Sequence, residues 1–199
     1  MNAWRLALSA IFLLCSSPHE LRAQEAISTV IAICAVCHGE DGSGVGFADV
    51  PIIAGTPAPH LEEAIYSYID GARQCSKEPA MCAAVNALSD EEIVGAAAYF
   101  AAKPRIASGE PYNKYLAAAG EKLHQEHCVT CHLLPDDPDA KFVPGIPLHG
   151  QKSAYLRYAF DAYASGDRLT LIPEMAEAMD EIDSDDFEAL VNYYASYAP

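Results

Sequence analysis

The chain has 199 residues, enough for one large domain or two small ones. Hydrophobic residues make up 51% of it, which excludes a disordered chain. Twelve Lys and Arg against 28 Asp and Glu give a net charge of −16, which excludes general nucleic-acid binding and docking on anionic lipid, and suits a basic partner.

Residues 1–23 read as an export signal. Arg5 supplies the early positive charge, residues 6–15 an apolar core, and Leu21-Arg22-Ala23 a cleavage site. The apolar run is too short to span a bilayer, and no other stretch reaches eighteen apolar residues. A periplasmic protein without a membrane anchor is therefore expected. Next comes an Ala/Ile-rich stretch, residues 25–36, which predicts a helix leading into Cys34-Ala-Val-Cys37-His38. Gly42-Ser43-Gly44-Val45-Gly46 follows that motif and not a strand, so it fails the context test for a nucleotide loop; a flexible cover for a cofactor edge fits better. Leu61, Ile65, Tyr68 and Ile69 fall on one helical face. Ser89-Asp90-Glu91-Glu92 is a capping box that opens a helix running through Phe100 to Pro104. Residues 104–112, with two prolines and Gly109, form the natural linker. Beyond it, residues 115–128 predict a helix into Cys128-Val-Thr-Cys131-His132. Tyr155, Tyr158 and Ala162 share a helical face, and residues 183–186 start a last helix ending near Ala198. No strand pattern of useful length is present.

The two C-x-x-C-H sequences carry the chemistry. In this pattern two thiols, Cys34 and Cys37 or Cys128 and Cys131, add to the vinyl groups of a haem, and the next residue, His38 or His132, ligates the iron from below. A zinc site would need four tetrahedral ligands for each metal, and a thioredoxin-like motif would need a βαβ pattern. The motifs lie 94 residues apart, and Met81 and Met175 each lie 43 residues after their histidine. Gly71 and Arg73 match Gly166 and Arg168, and Tyr99 matches Tyr193. The chain after the signal is thus two copies of one helical unit: 24–106 and 107–199. Met81 and Met175 are the expected sixth iron ligands, since a soft thioether favours the reduced state. Met179 has no partner in the first half and reads as core filler. His60, His124, His127 and His149 read as satisfied or surface histidines. The loops at Pro51 and at residues 144–147 are candidates to accept the N–H of the proximal imidazoles. Arg73 and Arg168 are candidates to pair with haem propionates. Cys75 and Cys82 have no counterparts in the second half. They flank Met81 and suit a disulfide that stiffens its segment, with a cysteine thiolate on the iron as the alternative.

Taken together, these motifs resemble the two-haem class I cytochromes c of the c-four type. Cys37-His38-Gly39-Glu40-Asp41-Gly42 and Leu88-Ser89-Asp90-Glu91-Glu92 match that family's phrasing. Gly120-Glu121-Lys122-Leu123-His124, Gly150-Gln151, residues 155–159 and Tyr194-Ala195-Ser196 are similar to the cytochrome subunit of flavocytochrome c sulfide dehydrogenase. The resemblance implies an all-α fold of two tandem class I cytochrome c domains, each wrapped around one covalent haem c. It implies an electron-transfer subunit, not itself catalytic, that takes electrons from a sulfide-oxidising flavoprotein and passes them to a cytochrome or oxidase. The alternatives are a free periplasmic shuttle to a terminal oxidase and a two-haem enzyme, either a peroxidase or a thiosulfate-oxidising cytochrome. The enzyme needs an open iron position or a thiolate ligand.

Overall fold

The structure, a computed structural model, describes residues 18–44 and 46–198. Arg5 and the apolar run at 6–15 lie outside the described residues. The described residues are helical: α1 (Pro18–His38), α2 (Ala58–Ile69), α3 (Pro79–Val85), α4 (Asp90–Ala101), α5 (Lys114–Leu123), a π-helical turn (His124–Cys128), α6 (Ser153–Ala164), α7 (Pro173–Glu181) and α8 (Ser184–Ala195). Among them the only β-type pairing is an isolated antiparallel bridge between Arg73 and Arg168. This is an all-α fold of two tandem helical units.

Each unit is built around the crossing of its first and last helices. In the first, α1 and α2 pack on α4. Leu61, Ala97 and Phe100 are buried there, with Cys34 and Tyr99 against them. In the second, α5 packs closely along α8, which also receives α6. Leu156, Leu190, Val191 and Tyr194 form that core, with Cys128 against it. Both last helices start at the capping boxes read from sequence: Ser89 Oγ accepts from Glu92 N–H, and Asp183 plays the same part for Asp186. They stop earlier than expected, at Ala101 and Ala195.

A close approach at each crossing uses one glycine. Gly95 of α4 faces Ile27 of α1, and Gly120 of α5 lies directly against the Ala189 carbonyl of α8. The glycine has changed helix between the copies, because Ala189 is the repeat equivalent of Gly95 and Ala26 that of Gly120.

Three further features were not visible in the sequence. Helix α1 begins at Pro18, ahead of residue 25, and runs unbroken past Ala23. It is long and apolar enough to cross a membrane by length and composition, a property the count of consecutive apolar residues had not detected. The second-half helix leaves α geometry at His124, where a π-turn carries it to Cys128. Residues 104–112, the linker, are packed against both units. Arg105 donates to Ala54 O, Thr56 Oγ1 and His149 O, and Gly55 lies so close to the Arg105 backbone that a Cβ would stand 2.9 Å from it.

Behind the second-unit core sits a buried aromatic cluster. The His124 and His149 rings meet edge-on at 4.9 Å, among Tyr193, Tyr194 and Tyr197. Tyr194 Oη lies 3.1 Å from His124 Nδ1. Burial holds both imidazoles uncharged, pushing His124 down to about 4 and His149 down to about 3. In the unfolded chain both titrate near 6.5. Their contribution to stability is therefore complete above about pH 6.5 and is lost as pH falls toward 4, because the unfolded chain takes up protons that the folded one refuses. Urea midpoints measured from pH 7 to pH 4.5 should fall, and His149→Phe should flatten the slope by about one proton.

Candidate haem sites

Each C-x-x-C-H motif closes the helix that carries it. Cys34, Cys37 and His38 form the last turn of α1; Cys128 ends the π-turn, with Cys131 and His132 just beyond. All four cysteines are free and half-buried. His38 is buried, and its Nδ1 lies 3.1 Å from the Pro51 carbonyl. His132 Nδ1 lies 2.8 Å from the Ile146 carbonyl. A carbonyl only accepts, so Nδ1 carries the proton in both rings and the Nε2 lone pair is left for a metal. Burial lowers the proton affinity of both imidazoles, which keeps them neutral and fit to ligate. The two acceptor loops are the ones proposed from sequence, and Ile146 is the residue within 144–147 that serves.

The loops lie close against the motifs. A Cβ on Gly145 would stand 2.6 Å from Cys131 O and 2.9 Å from His132 Nδ1, so glycine is required for that approach. Gly42, at φ +77°, would place a Cβ 2.8 Å from Ala54 N. Gly44 N–H donates to His38 O at 2.7 Å, and Lys152 Nζ donates to Gly44 O and Phe47 O. Gly44 and Phe47 are therefore anchored on either side of residue 45.

Met81 and Met175 both sit on helices. Each occupies the third position of a short helix, α3 or α7, that opens with a proline. Pro79 and Pro173 are 94 residues apart, and proline at the first helical position was the available signal for both helices. Both methionines are half-buried, as is Met179 on α7. Cys75 and Cys82 are joined in a disulfide that ties the segment before α3 into α3 itself, one residue from Met81. A 310 Å³ cavity lies beside it, lined by Tyr68, Ile69, Val85 and Asn86 among others.

Arg73 and Arg168 meet across the junction of the two units. Their backbones pair, with Gln74 N–H donating to Asp167 O and Leu169 N–H to Ala72 O. Each guanidinium covers a repeat-related tyrosine, Arg73 over Tyr68 at 5.0 Å and Arg168 over Tyr163 at 4.5 Å. Buried Arg73 Nε has no acceptor, so a donor is held ready for an anion such as a propionate. His60 is buried and donates from Nε2 to Ala140 O at 2.8 Å, which spends it on the inter-unit contact.

Two thiol pairs, two neutral anchored imidazoles and an unmatched buried guanidinium donor fit a covalent haem in each unit. Fold and donor set together define a c-type haem protein with two haems. A family model described as cytochrome c oxidase, cbb3-type, subunit III matches residues 22–100. The thiosulfate dehydrogenase electron acceptor of Stutzerimonas stutzeri is 31% identical over 176 residues, covering 82% of this chain and 78% of the relative. Reduced cytochrome c4 from Pseudomonas stutzeri superposes with a TM-score of 0.70 at 24% identity, over 88% of this chain and 98% of that one. The thiosulfate dehydrogenase of Marichromatium purpuratum, as isolated, gives 0.66 at 26%, over 87% of this chain and 40% of that one. The chain belongs to the two-haem class I cytochromes c, and its cofactors are two covalently bound haem c groups. Two of these three proteins are linked by name to thiosulfate and none to sulfide.

Proposed function

We propose that this protein is an exported two-haem electron carrier that accepts electrons from a dehydrogenase acting on a reduced sulfur compound, thiosulfate in the first instance. The units are 24–106 and 107–199. Cys34, Cys37, Cys128 and Cys131 would hold the haems, with His38 and Met81 as the axial ligands of the first and His132 and Met175 as those of the second. Arg73 and Arg168 would face propionates. The bound haems supply one-electron redox chemistry. The chain's own part is to fix each imidazole through the Pro51 or Ile146 carbonyl and to present an acidic surface. A carrier role is supported over an enzymatic one by the repeat itself: both units supply a methionine at the same place, and neither position is left for substrate. The observation that carries the donor assignment is the relative named a thiosulfate dehydrogenase electron acceptor, aligned over most of both chains. The local phrases shared with the cytochrome subunit of flavocytochrome c sulfide dehydrogenase favour a sulfide-oxidising flavoprotein as a second reading.

The test is reduction of the purified native protein, followed by its haem spectrum. With thiosulfate and a thiosulfate dehydrogenase, both haems should be reduced, and neither thiosulfate nor the dehydrogenase alone should suffice. Reduction only through a sulfide-oxidising flavoprotein would move the assignment to the second reading. Turnover of thiosulfate by this protein alone would overturn the carrier role.

A further inference from the structure

The loop that orients His38 is held from the other half of the molecule. Ile52 follows Pro51, the residue whose carbonyl accepts the His38 Nδ1–H. Ile52 N–H donates to Gln151 Oε1 at 2.8 Å, and Gln151 Nε2 donates to Ile52 O at 2.9 Å. Both residues are buried, and they are 99 positions apart. One side-chain amide thus satisfies both backbone polar groups of Ile52, as a neighbouring strand would. Lys152, the next residue, donates to Gly44 O and Phe47 O, and the Gly44 N–H in turn donates to His38 O.

The arrangement has no mirror image. Gly55-Thr56 is the repeat equivalent of Gly150-Gln151, with Leu61 matching Leu156 at the same offset. Thr56 is too short to make a two-bond clasp, and its hydroxyl accepts from Arg105 instead. The Ile146 loop that holds His132 packs on its own unit's Cys131 through Gly145.

We propose that Gln151 is a positioning residue for the first haem: from the second unit it sets the hydrogen bond between the Pro51 carbonyl and the His38 ring. A firm hydrogen bond at the far nitrogen raises the basicity of a ligating imidazole and favours the oxidised metal. The clasp therefore holds the first haem's potential down and leaves the second haem's untouched. The proposal rests on His38 as an axial ligand.

The experiment is a redox titration of the holo-protein with the two haems resolved, on native, Gln151→Met and Gln151→Asn. Methionine keeps the volume and removes both hydrogen bonds; asparagine keeps the amide but is too short to span Ile52. The first haem's potential should rise in both variants, more in Gln151→Met, with the second unchanged. Hydrogen exchange at the Ile52 amide should accelerate in parallel. A fall, a shift shared equally by both haems, or no shift with the Ile52 amide exposed overturns the proposal. If Gln151→Met does not fold, Gln151→Asn decides it. His38→Ala in the same titration separates the two levels: retention of two native-like haem signals would show that His38 is no ligand, and the underlying site assignment would fall first.

Discussion

Met81→His should lower the midpoint potential of the first haem by on the order of 0.1 V or more, within the roughly 0.8 V that axial ligands span, and leave the second haem where it is. A thioether is a soft, weak donor that favours the reduced iron, whereas an imidazole favours the oxidised one. The segment that carries Met81 is held in place from both ends. Pro79 starts α3 with its backbone already in helical geometry, Met81 is two residues on, and the Cys75–Cys82 disulfide ties the helix to the strand of chain before it. The Cys75–Cys82 disulfide and Pro79 hold α3 through residues other than Met81, so the variant should fold and bind both haems. A spectroelectrochemical titration checks it. An unchanged potential would remove Met81 from the ligand set and open the question of a thiolate from the neighbouring cysteines. Met175→His should do the same to the second haem alone.

Much of the site was legible because covalent chemistry demands fixed spacing. C-x-x-C-H is set by the distance between vinyl groups and iron, and the internal repeat carries it twice, each time with a methionine 43 residues after the histidine. The capping boxes at Ser89 and Asp183 were equally legible, since both partners are neighbours in sequence. What could not be read were contacts made at long range. Nothing around Gln151 indicates that its amide meets Ile52, and nothing around Arg105, in a segment rich in proline and glycine, indicates that its guanidinium ties residues 54 and 56 to 149. The same is true of the backbone bridge between Arg73 and Arg168. Their matched positions showed a repeat; that the repeat brings them face to face is a property of how the units dock. Helices α3 and α7 are too short for periodicity to reveal, and only their opening prolines marked them.

The docking explains why two equivalent units need not behave alike. The first unit's loop around residues 42–56 is gripped by Arg105, Gln151 and Lys152, all from beyond its last helix. In return the second unit accepts at Ala140 O from His60, at His149 O from Arg105 and at Asp167 O from the Gln74 N–H, none of them on the loop that holds His132. A duplicated sequence gives two sites of the same kind; unequal contacts across the junction give them unequal surroundings. In the proposed carrier role, a difference in potential between the two haems would set the direction of electron flow between them.

The helix crossings show the same inequality in stability, and Gly120→Val should expose it. A Cβ at Gly120 would fall on the Ala189 carbonyl, and the obstacle is backbone on both sides. Neither α5 nor α8 can yield locally, so the helices must part, and overpacking of this kind costs about 3 kcal/mol. That corresponds to a fall in Tm of roughly 12 °C or more for a unit of this size. At the first crossing a Cβ on Gly95 would stand 2.8 Å from the Ile27 side chain, which can change rotamer. Gly95→Val should therefore cost only about 1 kcal/mol. The damage at Gly120 should also reach the haem site, since α5 leads through the π-turn to Cys128 and Tyr194 of α8 packs on both His124 and Cys128. Denaturant unfolding of the holo-protein, followed at the haem absorbance and by circular dichroism, measures both variants. Equal costs would mean that the α5–α8 contact is no tighter than its counterpart; a Gly120→Val protein as stable as the native one would mean that the two helices do not need to touch at backbone distance at all.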